Sequence, residues 1–129
     1  MPKSPPIKLP AARWTMHEFF AGSGLVAYGL RGMFKPVWAN DVSPQKAAVY
    51  RANFGGGCFH LGDIKNVHGQ DLPLAHLSWA SFPCQDLSLA GAMGGIHAAR
   101  SGLVWEWLRV LDETAQKPKI LLMENVSGL

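Results

Sequence analysis

The sequence predicts an α/β fold: a parallel sheet with helices on both faces, of which about five strands are present in 129 residues. Two observations carry that expectation. Short apolar runs alternate with stretches of helical apolar spacing, the pattern of strands joined by helical crossovers. The residues able to do chemistry also gather just after those runs, and open parallel sheets bind ligands at the carboxyl ends of their strands.

Taken in order, residues 1–13 carry prolines at 2, 5, 6 and 10 with Lys3, Lys8 and Arg13, and read as a flexible, Pro-rich leader. The domain therefore spans residues 14–129. Trp14 to Phe20 reads as the first strand and runs into Phe20-Ala21-Gly22-Ser23-Gly24. From Leu25 to Met33 the apolar residues Leu25, Val26, Leu30 and Met33 recur at helical spacing. Lys35 to Ala39 is the second strand, followed by Asn40-Asp41. Ser43-Pro44 supplies an N-cap and a proline at the first helical position. Ala47, Tyr50 and Phe54 line one face of that helix, and Gly55-Gly56-Gly57 ends it. Cys58 to Leu61 is the third strand, closed by Gly62-Asp63. His76 to Ser81 is the fourth, and a long loop follows from Pro83 to Ala99. A helix from Arg100 to Thr114 places Leu103, Val104, Trp107, Leu108 and Leu111 on one face. Lys119 to Met123 is the fifth strand, ending in Glu124-Asn125-Val126.

Composition sets outer bounds. Charged residues make up 16% of the chain, and the net charge of +3 permits nucleic-acid contact without demanding it. Two cysteines, Cys58 and Cys84, without a secretion signal read as reduced thiols in the cytoplasm rather than a disulfide. No apolar run approaches the length of a membrane span. The five histidines, at 17, 60, 68, 76 and 97, show no metal-binding spacing, so no metal site is expected.

The strand ends hold the chemistry. Gly22-Ser23-Gly24 followed by Ala27 fits a turn that lets a nucleotide-like ligand approach backbone at a helix start. Asp41 at the next strand end can accept from both ribose hydroxyls, or help to cap a helix. Asp63 at the third can receive an adenine amino group. These residues point to an adenosine-containing ligand and leave a dinucleotide and S-adenosylmethionine both open. Cys84, next to glycine-rich backbone, is either a nucleophile or a core cysteine.

Six motifs in order sharpen this reading. Phe20-Ala21-Gly22-Ser23-Gly24, Asn40-Asp41 and Gly62-Asp63-Ile64 are followed by Phe82-Pro83-Cys84-Gln85 with Ser88, then Arg100-Ser101-Gly102-Leu103 and Met123-Glu124-Asn125-Val126. The set resembles the DNA cytosine-5 methyltransferase family over about residues 16–129. The resemblance implies a Rossmann-like fold dependent on S-adenosyl-L-methionine. It implies cofactor contacts from Phe20, Ala21, Gly22, Ser23, Gly24, Leu25, Asp41, Val42, Asp63, Ile64, Pro83 and Leu103. Leu25 stands where the family often has a third glycine, Val42 where it often has an aromatic residue, and Asp41 where glutamate is common.

By the same resemblance Cys84 is the nucleophile that adds to cytosine C6, and Glu124 holds N3. Gln85, Ser88 and Arg100 are the implied DNA contacts, on double-stranded DNA with the target cytosine flipped out. Family members continue past Glu-Asn-Val into an arginine-bearing motif, two further strands and a target-recognition domain. The chain is therefore expected to be the N-terminal part of a catalytic domain, truncated or split, that works with a complementary C-terminal polypeptide or region. Ile120 to Met123 would then be an unpaired apolar edge strand. Three alternatives stand beside this reading: methylation of cytosine in transfer RNA, a non-catalytic remnant, and a nicotinamide-dependent oxidoreductase that leaves Cys84 and Glu124 without a role.

Overall fold

The computed structural model describes residues 14–83 and 102–125. Five strands, β1 (Trp14–Phe19), β2 (Phe34–Asp41), β3 (Phe59–Leu61), β4 (Leu77–Ser81) and β5 (Ile120–Glu124), form one sheet in the order β3-β2-β1-β4-β5. Every neighbouring pair is parallel. The helices are α1 (Leu25–Gly29), α2 (Pro44–Phe54) and α3 (Leu103–Glu113). Strand order reverses beside β1, between β1 and β4, which is where such sheets bind ligands.

Side chains of the central strands alternate between two cores. One joins Ala27 of α1 and Ala47 and Tyr50 of α2 to Ala39 and Phe59. On the other face Phe19, Trp38, Ala80 and Phe82 meet Trp107, Val110 and Leu111 of α3. Helices thus cover both faces, as the alternation predicts. β1 is buried on both sides, with Met16, His17, Glu18 and Phe19 all at 0–1% exposure. Its pairing with β2 shifts by one residue after Met16, opposite Pro36. Proline has no N–H to give the ladder, and a register shift there accommodates it.

The structure corrects the first helix. α1 ends at Gly29 rather than Met33, because Leu30 leaves helical geometry and two further turn bonds lead straight into β2. The apolar spacing misidentified its inner face: Leu25 is 79% exposed, Met33 is exposed as well, and only Ala27 is buried. Cys58 is half-buried against Tyr50. The Ser43 N-cap of α2 stands as read, its hydroxyl accepting the Lys46 N–H at 3.3 Å. The Pro83–Ala99 loop beyond Pro83, and the expected helix start at Arg100, lie outside the described residues.

Between β3 and β4, where the sequence pattern signals no element, two 3₁₀ turns form at Ile64–Asn66 and Gly69–Asp71. They are held from α3. Arg109 donates to the carbonyls of Val67 and Ile64 at 3.0 and 3.1 Å, and pairs with Glu106 and Glu113 at 2.9 and 2.8 Å. The Gly69 N–H donates to Glu113 Oε2 at 2.8 Å. A Cβ on Gly69 would stand 2.0 Å from the Val110 carbonyl oxygen, so only glycine allows this approach.

β5 is the outer strand on its side of the sheet, and its four apolar residues are 36–57% exposed. Among the described residues nothing pairs with its outer edge. No helix among them is long and apolar enough to cross a membrane.

Candidate functional site

β1 ends by turning sharply. Phe20 adopts a left-handed conformation at φ 56°, followed by Gly22 at 57° and Gly24 at 95°. A phenylalanine held there costs about 1–3 kcal/mol, which packing must offset. The Phe20 ring lies 5.0 Å from that of Phe82, which follows β4, so the turn is pinned across the switch point. Gly24 packs against α2: a Cβ on it would fall 2.5 Å from a Phe54 ring atom and 3.0 Å from Tyr50.

Asp41, at the end of β2, organises the turn. Its Oδ2 accepts the Gly22 N–H at 2.8 Å and its Oδ1 accepts the Ser43 N–H at 2.9 Å. One carboxylate therefore ties the glycine turn to the start of α2, and each oxygen keeps a lone pair for a ligand. The ribose-acceptor and capping readings of Asp41 are thus compatible. Asn40 beside it donates to the carbonyls of His60 and Gly62 at 2.8 and 3.0 Å, fixing the end of β3. Asp63 is exposed and accepts the Lys65 N–H at 2.9 Å, which caps the first 3₁₀ turn.

Two cavities flank the glycine turn. The first, about 410 Å³, is lined by Phe20, Asp41, Val42, Lys46, Asp63, Ile64, Phe82, Pro83 and Leu103, among others. The second, about 330 Å³, is lined by Phe20, Ala21, Gly22, Ser23, Leu25, Lys46, Ser81 and Glu124, with Val26. They share Phe20, Lys46 and Ser81. Each volume suits a small ligand, for which pockets of roughly 300–1,000 Å³ are usual. β4 and β5 pair with Ser81 opposite Glu124, and the Phe82 N–H donates to the Glu124 carbonyl at 3.2 Å. That pairing sets the backbone leading to Cys84 beside the Glu124 strand end.

The predicted cofactor residues thus converge from four strand ends and the start of α3. Gly24 takes no part in the cavity walls and instead supports the turn from below. Cys84, Gln85, Ser88 and Arg100 lie outside the described residues.

Sequence reasoning missed two residues here. Lys46 borders both cavities, and its only signal was position, three residues after the N-cap of α2. Glu18 is 1% exposed on β1, and neither carboxyl oxygen has a hydrogen-bond partner among the described residues. Burial pushes its pKa up to about 8; the nearby Ala27 amide offsets this in part and the Asp41 charge adds to it. A glutamate between Met16 and Phe19, inside the first predicted strand, was the available signal. Burial also raises the Tyr50 hydroxyl and the Cys58 thiol, which lie 3.8 Å apart on the same face. The raised pKa of Cys58 favours its thiol over its thiolate. His17, on the opposite face, donates to the Pro73 carbonyl at 2.6 Å, and burial lowers its pKa.

Comparison with known proteins gives these features a family. Residues 14–129 match the model of C-5 cytosine-specific DNA methylases. The Type II methyltransferase M.Bsp6I of Bacillus sp. (strain RFL6) is 35% identical over 115 residues, 87% of this chain and 36% of that protein. The Type II methyltransferase M.PspPI of Psychrobacter sp. (strain TA137) is 38% identical over 122 residues, 93% of this chain and 29% of that one. The chain thus spans about a third of the length of the curated relatives it matches. Among solved structures, the S. pombe Dnmt2 methyltransferase superposes with a TM-score of 0.69 at 26% identity, covering 89% of this chain and 34% of that one. TrmN from Thermus thermophilus, at 17% identity and a TM-score of 0.56, shares the fold.

Proposed function

From the premise that this chain belongs to the C-5 cytosine-specific DNA methylase family, we propose that it is the cofactor-binding and catalytic part of an enzyme that methylates cytosine C5 in DNA. The observation that carries the proposal is the convergence of the glycine turn, Asp41, Asp63, Pro83 and Glu124 on two adjoining cavities at the switch point. The family description supports DNA over RNA as the substrate, and the Type II relatives support a role in restriction–modification.

The residues present fit S-adenosylmethionine. Gly22 offers backbone without a Cβ at the cavity wall, as close approach of a ligand requires. The acids Asp41, Asp63 and Glu124 suit a ligand with hydroxyls, an amine and a net positive charge. Asp41 would take the ribose, Asp63 and Ile64 the adenine, and Phe20, Val42, Pro83 and Leu103 the apolar ring faces. When bound, the cofactor supplies an electrophilic methyl group.

The chain's own residues prepare the acceptor. Cytosine C5 is too weak a nucleophile unaided. The Cys84 thiolate adds to C6, forming the Sγ–C6 bond and moving the electron pair of the C5–C6 double bond to C5. Glu124, carrying a proton that it donates to or shares with N3, stabilises the negative charge that thiolate addition puts on the ring. After methylation, loss of the C5 proton to a base, with water sufficient for the role, restores the double bond and expels Cys84 Sγ. Gln85, Ser88 and Arg100 contact the DNA from which the cytosine has flipped.

A complementary C-terminal polypeptide or region supplies target recognition. The relatives' length and the exposed apolar edge of β5 support this. Methyl transfer from labelled S-adenosylmethionine tests the function. The chain together with the polypeptide encoded downstream should label duplex DNA and leave transfer RNA unlabelled. Label on transfer RNA alone would reassign the substrate, and no label on either would favour a non-catalytic remnant.

A further inference from the structure

S-Adenosylmethionine carries a sulfonium, an amine and one carboxylate. The acids around the two cavities suit everything in it except that carboxylate, which they repel. Among the described residues lining the two cavities, Lys46 is the one Lys or Arg, and it lines both. Its place follows from local structure: Ser43 caps α2 and accepts the Lys46 N–H, setting Lys46 in the first turn. The stem of its side chain runs back over the glycine turn, where a Cβ on Gly22 would stand 3.8 Å from Lys46 Cδ. A lysine in the first turn opposes the helix dipole, so helix stability is no reason for it. Asp41, the nearest acid by chain position, already accepts two backbone N–H groups, and no ion pair forms between Lys46 and a described acid.

We propose that Lys46 binds the carboxylate of the cofactor's amino-acid half and so makes the site discriminate ligands by that end as well as by adenosine. This rests on the reading that the two cavities hold S-adenosylmethionine. The first cavity, with Asp41 and Asp63, takes the adenosine. The second, reaching Glu124 and Ser81, takes the chain that leaves the ribose, and Lys46 stands on the wall between them. A charge-assisted contact at a solvent-accessible site corresponds to a roughly five- to tenfold change in affinity.

Titration calorimetry on the 129-residue chain tests this with S-adenosylhomocysteine and its decarboxylated analogue, which keeps the amine. Lys46→Met should weaken S-adenosylhomocysteine binding about five- to tenfold and leave the decarboxylated analogue bound as tightly or tighter. Lys46→Arg should retain most of the affinity for S-adenosylhomocysteine. Equal loss for both ligands, or no loss for either, overturns the role of Lys46 while leaving the cofactor site intact. If neither ligand binds a wild-type chain that circular dichroism shows to be folded, the cofactor reading itself fails.

Discussion

Replacing Glu18 by glutamine keeps the shape of a side chain that is 1% exposed on the central strand and removes its ability to ionise. Burial raises the carboxyl from an ordinary 4.5 to about 8, so the folded chain holds a proton there that the unfolded chain releases above 4.5. The folded state binds more protons across that interval. The contribution of Glu18 is therefore fully present below about 4.5 and is lost as pH rises towards 8. At about 1.4 kcal/mol per pH unit, the rise corresponds to a ceiling of about 5 kcal/mol. Residual hydration of the carboxylate should reduce that to a few kcal/mol. Glutamine, neutral throughout, should abolish this slope. Urea unfolding of wild type and Glu18→Gln at pH 5, 6.5 and 8 measures it: the variant should gain a few kcal/mol on the wild type between the first and last. His17 has the opposite dependence, its lowered pKa removing stability as pH falls below 6.5, but it is common to both chains and cancels in the difference. Parallel pH curves, or a variant that loses ground as pH rises, would refute the reasoning.

Three further outcomes follow from single contacts. Gly69→Ala forces a Cβ against the Val110 carbonyl and Glu113, and should cost about 3 kcal/mol in chemical denaturation, since backbone cannot yield as a side chain does. Gly24→Ala should cost about 1–3 kcal/mol, from ring overlap with Phe54 and Tyr50 and an unfavourable φ, and should also weaken S-adenosylhomocysteine in a binding titration. Leu121→Lys on the exposed β5 should lower self-association of the isolated chain in analytical ultracentrifugation while leaving its unfolding midpoint nearly unchanged.

Strand order in the sequence, the Ser43 cap and the clustering of chemistry at strand ends were legible because each depends on residues close in the chain. Pro44 and Gly55 bound α2 by backbone preference alone, and the structure agrees to the residue. The 3₁₀ turns were not legible, because Arg109 and Glu113, more than forty residues downstream, hold Ile64, Val67 and Gly69 in place. The shortness of α1 was hidden for a different reason: its apolar spacing is genuine, yet Leu25 faces the second cavity instead of the core. Asp41 was visible as a candidate acceptor, but its bond to Gly22 joins two turns nineteen residues apart, which only the fold reveals. Glu18 and Lys46 lay outside the motifs that drew attention to the site.

The central claim is that this chain carries a cysteine nucleophile for C5 methylation, and covalent trapping tests it most directly. The chain, alone and with the polypeptide encoded downstream, is incubated with S-adenosylmethionine and duplex DNA containing 5-fluorocytosine, whose C5 fluorine blocks release of the thiol. A denaturant-resistant protein–DNA adduct that requires the cofactor and vanishes in Cys84→Ser is the predicted result. No adduct in either mixture, from a folded chain that binds S-adenosylhomocysteine, would contradict it.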